Sequence, residues 1–157
     1  LQQLTLSNLS NLRRALTPNK RVYVVENRSG FRYLTEQDVF KNEAIVCGNG
    51  QLRIAVFVLL DLLVEENVTI FYAGDFDPEG LKIAQKVIDR YGNNVKLWCY
   101  NRDDFMAARV KKLQQLKHPS LKKVAEWIMD EKKLGYQENI LEHYLSFKLH
   151  TSGNEDV

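Results

Sequence analysis

Apolar and polar positions along the chain fall into two alternating rhythms. Short runs rich in β-branched and aromatic residues occur at Val22 to Val25, Ala44 to Cys47, Thr69 to Ala73 and Val95 to Tyr100, each the length of a buried strand. Between them lie stretches with helical spacing. Gln51 to Glu65 is apolar nearly all round, and Pro78 to Tyr91 carries one stripe made of Leu81, Ala84, Val87, Ile88 and Tyr91, which predicts helices packed on the strands. Gly92 stands where a left-handed helix C-cap is wanted. A weaker helical pattern covers Thr35 to Lys41, and Ser7 to Leu16 reads as a short helix ended near Pro18. After Tyr100 the strand signal stops. Helical patterns then run from Asp103 to Leu116, from Pro119 to Lys132 and from Gln137 to Leu149, punctuated by Pro119 and Gly135.

Strands and helices that alternate through short connections are the signature of a parallel sheet covered on both faces. The expected fold class is therefore α/β: a Rossmann-like three-layer arrangement with a mainly parallel four-stranded sheet, plus C-terminal helices. A flavodoxin-like order, 2-1-3-4, is the expectation for the sheet. With 157 residues, 45% of them hydrophobic, the chain can build one complete core and not two. Residues 1–150 are expected to form a single domain, with 151–157 as a disordered polar tail. The start at Leu1 and the polar end suggest a piece of a longer polypeptide whose N-terminal domain is missing.

Charge changes this picture only locally. A formal net charge of +2 and a pI near 8.5 allow nucleic acid as a partner without requiring it. From Phe105 to Ala125 there is no acidic residue, while Arg109, Lys111, Lys112, Lys117, Lys122 and Lys123 all fall inside. That stretch reads either as a solvated helical face or as a surface for a phosphate backbone. Cys47 and Cys99 are far apart and show no zinc-type spacing, so buried thiols in a reducing cytoplasm are expected. The longest apolar stretch, Ile54 to Val64 broken by Asp61, is too short for a membrane span. The N-terminus also lacks the order of a signal peptide.

Ligands of open parallel sheets collect outside the carboxyl ends of the strands, where the winding reverses. Here three strands end in polar groups: Glu26 and Asn27 after the first, Gly48, Asn49, Gly50 and Gln51 after the second, Asp75 and Asp77 after the third. In a 2-1-3-4 sheet the first and third strands are neighbours, so Glu26 faces Asp75 and Asp77. Residues two apart in an extended chain point the same way, which aims both aspartates at the crevice and turns Phe76 into packing. Three carboxylates this close raise one another's pKa unless a cation is shared, and short hard-oxygen ligands suit Mg2+, with Mn2+ as a substitute. Asp77 has a second reading as N-cap of a helix opening with Pro78. Glu79 in the first turn is explained by the helix dipole. Asn27, Asn49 and Gln51 are candidates for binding phosphate or orienting ligands, and Arg109, Lys111 and Lys112 for contacting a DNA backbone. His143 and His150 read as flanking a packed surface rather than binding metal, and Trp98 and Trp127 as core anchors.

The segment "GDFDPEG" carries DxDxxG at Asp75, Asp77 and Gly80. With the preceding strand-end glutamate, it resembles the Toprim superfamily of primases, type IA and type II topoisomerases and certain nucleases. Five segments in order, "VYVVEN", "VCGNGQ", "YAGDFDPEGLKIA", "LWCYNRDDF" and "YQENILEHYL", are similar to the Toprim-like C-terminal domain of the JetD-type subunit found beside SMC condensins in Wadjet plasmid-defence operons. The resemblance implies that Glu26, Asp75 and Asp77 bind magnesium and serve DNA-strand cleavage, with Glu138 of "YQE" near the same site. It also implies DNA and SMC-type subunits as partners. Two departures, "ENRSGF" after the first strand and Ala73 in place of a histidine seen in some relatives, bear on loop shape rather than on the carboxylates.

The expected activity is Mg-dependent hydrolysis of DNA, an endonuclease of Toprim type, because no tyrosine carries a motif that marks it as a nucleophile. The alternative is a catalytically silent Toprim module that binds DNA or a partner as a scaffold. A topoisomerase or primase-type domain fits less well. So does a phosphatase with an aspartyl nucleophile, because here DxD ends the third strand and Glu79 follows Pro78.

Overall fold

The computed structural model describes residues 4–49, 54–110, 118–131, 134–135, 143–146 and 148. Its centre is a four-stranded, wholly parallel sheet of β1 (Arg21–Val25), β2 (Ala44–Cys47), β3 (Thr69–Ala73) and β4 (Val95–Leu97), in the spatial order β2-β1-β3-β4. The positions of the four strands and the 2-1-3-4 order match the expectation, apart from the end of β4. Val24 pairs with Val46 on one side and with Tyr72 on the other, so β1 is hydrogen-bonded along both edges. That explains why its side chains from Val22 to Val25 are all buried.

The helices are α1 (Leu6–Leu9), α2 (Arg28–Thr35), α3 (Ile54–Glu65), α4 (Pro78–Tyr91), α5 (Arg102–Ala108) and α6 (Pro119–Glu131). On one face α3 and α4 lie side by side. Arg90 of α4 reaches both oxygens of Asp61 on α3, at 2.9 and 2.6 Å, while the Tyr91 hydroxyl meets Asp61 and the Phe57 carbonyl. On the other face an aromatic group closes the core. Tyr23 and Phe71, direct register partners, stack at 5.2 Å between ring centres. Trp98 packs edge-on against Tyr23 and also against Tyr144 from the C-terminal helical turn. Trp98 is thus the anchor expected of it, whereas Trp127 is half-buried. Such ring pairs add about 0.5–1.5 kcal/mol each beyond the area they bury.

At the edge where the strands begin, Glu43 holds two cations, half-buried Arg21 and buried Lys148. Arg21 donates to both its oxygens at 3.2 Å, and the Lys148 ammonium donates to one of them. Lys148 also lies over the ring of Tyr23.

Several expected elements are corrected. The helix placed at Thr35 to Lys41 begins seven residues earlier, at Arg28, and only Asp38–Phe40 continues as a 3-10 turn. Its cause is Asn27, whose side-chain oxygen accepts from the Gly30 amide at 2.7 Å and caps the helix. The helix expected at Ser7 to Leu16 is only Leu6–Leu9, capped by Thr5; Leu12 and Leu16 stay 46% and 61% exposed, so no apolar stripe is buried to prolong it. β4 stops at Leu97 rather than Tyr100, because Cys99 adopts left-handed backbone with φ 54°. The helix expected at Asp103 to Leu116 ends at Ala108. It gives way to β5 (Arg109–Val110), antiparallel to β6 (Leu134–Gly135), although no strand was expected there. Of the helix expected at Gln137 to Leu149, only 143–146 and 148 are described, and these are helical. The tail at 151–157 lies outside the described residues. Cys99 is buried and Cys47 half-buried, both as free thiols.

Pro78 opens α4 and Asp77 caps it, its side chain accepting from the Gly80 amide at 2.7 Å. Gly92 ends the same helix with φ 52°. No helix among the described residues is long and apolar enough to cross a membrane.

Candidate functional site

Parallel strands bring all their carboxyl ends to one edge, and the register decides which residues meet there. Val24 lies opposite Tyr72 and Val25 opposite Ala73, so the next position sets Glu26 over Gly74. The glycine is required: a Cβ at position 74 would sit 2.7 Å from the Glu26 carboxyl carbon and 2.9 Å from the Tyr72 hydroxyl. Glu26 is therefore folded back against β3, 4% exposed. One carboxylate oxygen accepts from the buried Tyr72 hydroxyl, and the other lies 3.4 Å from the Asp75 amide.

Burial pushes the Glu26 carboxyl up to about 7, and the negative charges of Asp75 and Asp77 push the same way, against the hydrogen bond from Tyr72. The acids brought together here are thus the three singled out in the sequence. Asp75 and Asp77 are half-buried, and Phe76 between them is fully buried against the rings of Tyr100 and Phe105.

A raised carboxyl pKa has a stability consequence of definite sign. The native protein holds this proton more tightly than the unfolded chain, so the contribution is complete below the ordinary glutamate pKa and lost as pH rises through 7. Its size is on the order of 3 kcal/mol. Without divalent ions, urea denaturation is expected to show stability falling between about pH 5 and pH 8, with a flatter profile for Glu26→Gln. An equally steep profile in that variant would assign the slope to another group.

The remaining predicted residues divide. Asn27 uses its oxygen as the cap of α2. Asn49, exposed with φ 56°, accepts from the Arg28 guanidinium at 2.7 Å, so Arg28 joins the turns after β1 and β2. Gln51, Lys111, Lys112 and Glu138 lie outside the described residues, and only the backbone of Arg109, in β5, is described. Lys122 and Lys123 are exposed on α6. Among the described residues no three His, Cys, Asp or Glu side chains are arranged to close around a metal ion. Two side-chain oxygens account for part of this: an Asp77 oxygen caps α4, and Glu26 is turned toward Tyr72. The donor set is nevertheless all hard oxygen, the chemistry that suits magnesium.

Sequence reasoning missed Tyr72 and Tyr100, two buried tyrosines that read as strand apolar residues. It also missed the partnership of Asp104 with His143. Asp104 and Asn101 bond reciprocally across the start of α5 at 2.9 and 3.0 Å, and the other Asp104 oxygen meets His143 Nδ1 at 2.6 Å. The "NRDD" spacing carried the first part of that signal as a capping box; nothing local carried the second.

A parallel α/β domain with three acids gathered at the carboxyl ends of its two central strands is the class these features define. The chain belongs to the family described as "Protein of unknown function C-terminus (DUF2399)", whose model matches residues 2–146. No curated protein matches it.

Proposed function

We propose that this domain is a Toprim-type, magnesium-dependent nuclease that hydrolyses DNA phosphodiester bonds, working in the cytoplasm beside SMC-type subunits in plasmid defence. The reading rests on one observation above all: Glu26 after β1 and the Asp75–Asp77 pair after β3 come together at the carboxyl edge of the sheet. The motif resemblance over nearly the whole chain supplies the reaction class and the partners.

Asp75 and the uncapped oxygen of Asp77 are the ligands in this proposal. When bound, magnesium supplies charge neutralisation at the phosphate and a more acidic attacking water. Glu26 takes up the proton of that water, a role suited to a carboxyl whose pKa stands at about 7. Lys122 and Lys123, exposed on α6, offer cations to the DNA backbone, which gives binding that weakens steeply with salt.

Nicking of supercoiled plasmid, assayed with magnesium and with chelator, tests the reading. Cleavage that needs magnesium supports it; a folded protein that binds DNA without cutting and has no measurable metal affinity sinks it. That second outcome is the signature of the scaffold reading, which the absence of a closed three-ligand group among the described residues favours.

A further inference from the structure

Tyr100 stands three residues beyond the end of β4, directly after the left-handed turn at Cys99. The Trp98 amide still bonds the Tyr72 carbonyl at 3.1 Å, so Tyr100 leaves the sheet level with the end of β3. Its residue is 8% exposed and its hydroxyl is buried. Among the described residues that hydroxyl has no hydrogen-bond partner. The charges that bear on it are those of Glu26, Asp75 and Asp77, and the Gly74 amide approaches it without meeting hydrogen-bond geometry. None of these takes the phenol proton: one Glu26 oxygen accepts from Tyr72 and the other faces the Asp75 amide.

A buried hydroxyl without an acceptor is unfavourable, and phenylalanine would make the same ring contact with Phe76, whose centre lies 5.1 Å away. With no acceptor among the described residues, the hydroxyl is explained by a partner that comes to the three acids. We propose that Tyr100 is a positioning residue whose phenol donates to an oxygen in the coordination shell of a divalent cation held at Asp75 and Asp77. The inference rests on the metal reading above and adds to it the group that orients a cation-bound water. Tyr72 cannot serve in its place, because its hydroxyl already donates to Glu26.

The test compares this chain with Tyr100→Phe and Asp75→Asn, using Mn2+ as the probe, by electron paramagnetic resonance titration and by thermal melting in chelator. The expected result for Tyr100→Phe is a melting temperature in chelator equal to or above that of the wild type, with Mn2+ bound about tenfold more weakly. A lower melting temperature in chelator, or failure to fold, would mean that the hydroxyl serves a protein partner and would overturn the proposal. Unchanged Mn2+ affinity in Tyr100→Phe, with the wild type binding and Asp75→Asn not, would overturn it while leaving the metal reading in place. Wild-type protein that binds no Mn2+, or Asp75→Asn that binds as tightly as the wild type, would remove both.

Discussion

Asp75→Asn is expected to lose magnesium-dependent nicking by at least about a hundredfold, with its melting temperature close to that of the wild type. The variant keeps the shape of the side chain and the backbone amide that faces Glu26. In the proposed mechanism it removes one ligand charge; it also removes one of the charges that raise the Glu26 pKa, so the Glu26 carboxyl becomes easier to ionise. Asp77 provides the contrast. Because its side chain caps α4, Asp77→Ala is expected to lose about 1 kcal/mol of stability together with activity, whereas Asp77→Asn retains a favoured cap and isolates the ligand's share. Equal nicking by wild type and Asp75→Asn would exclude the metal-ligand role.

Gly80→Ala is expected to cost at least about 1–3 kcal/mol and to displace the aspartates. A Cβ there would lie 3.0 Å from the Asp75 carbonyl carbon and 3.1 Å from its amide nitrogen, with the carbonyl oxygen nearer still. All three atoms are backbone, so relief requires the chain between β3 and α4 to move. Gly74→Ala meets side-chain atoms instead, those of Glu26 and Tyr72. It is expected to swing Glu26 out of its buried position, and the added change Glu26→Ala should recover part of the loss. Urea denaturation of the single and double variants measures both effects. Additive losses at positions 74 and 26 would show that the two residues do not compete for space.

The sheet was legible because its signal is local and repeated. Four β-rich runs of the right length, separated by helical spacing, leave few ways to wind a parallel sheet, and Pro78 with Gly92 marks both ends of α4. Where the reading slipped, a side chain served a role its type did not announce. Asn27 was read as a ligand-binding residue, yet it starts α2, and that moved the helix back from Thr35. Cys99 ends a strand by adopting a backbone conformation that composition assigns to glycine or asparagine.

The acids could be found because carboxylates at buried strand ends are costly and therefore conspicuous. Tyr72 and Tyr100 could not, since a tyrosine in an apolar run looks like packing until the position of its hydroxyl is known. Asp104 and His143 meet across thirty-nine positions, a distance over which pattern reading has no purchase.

The far edge of the sheet bears on how the protein should be trimmed for expression. The family match stops at residue 146, two positions short of the lysine whose ammonium reaches Glu43 inside the core. A boundary drawn by homology alone would discard that counterion and oblige Arg21 to neutralise the enclosed acid unaided, so the prudent cut falls beyond 148.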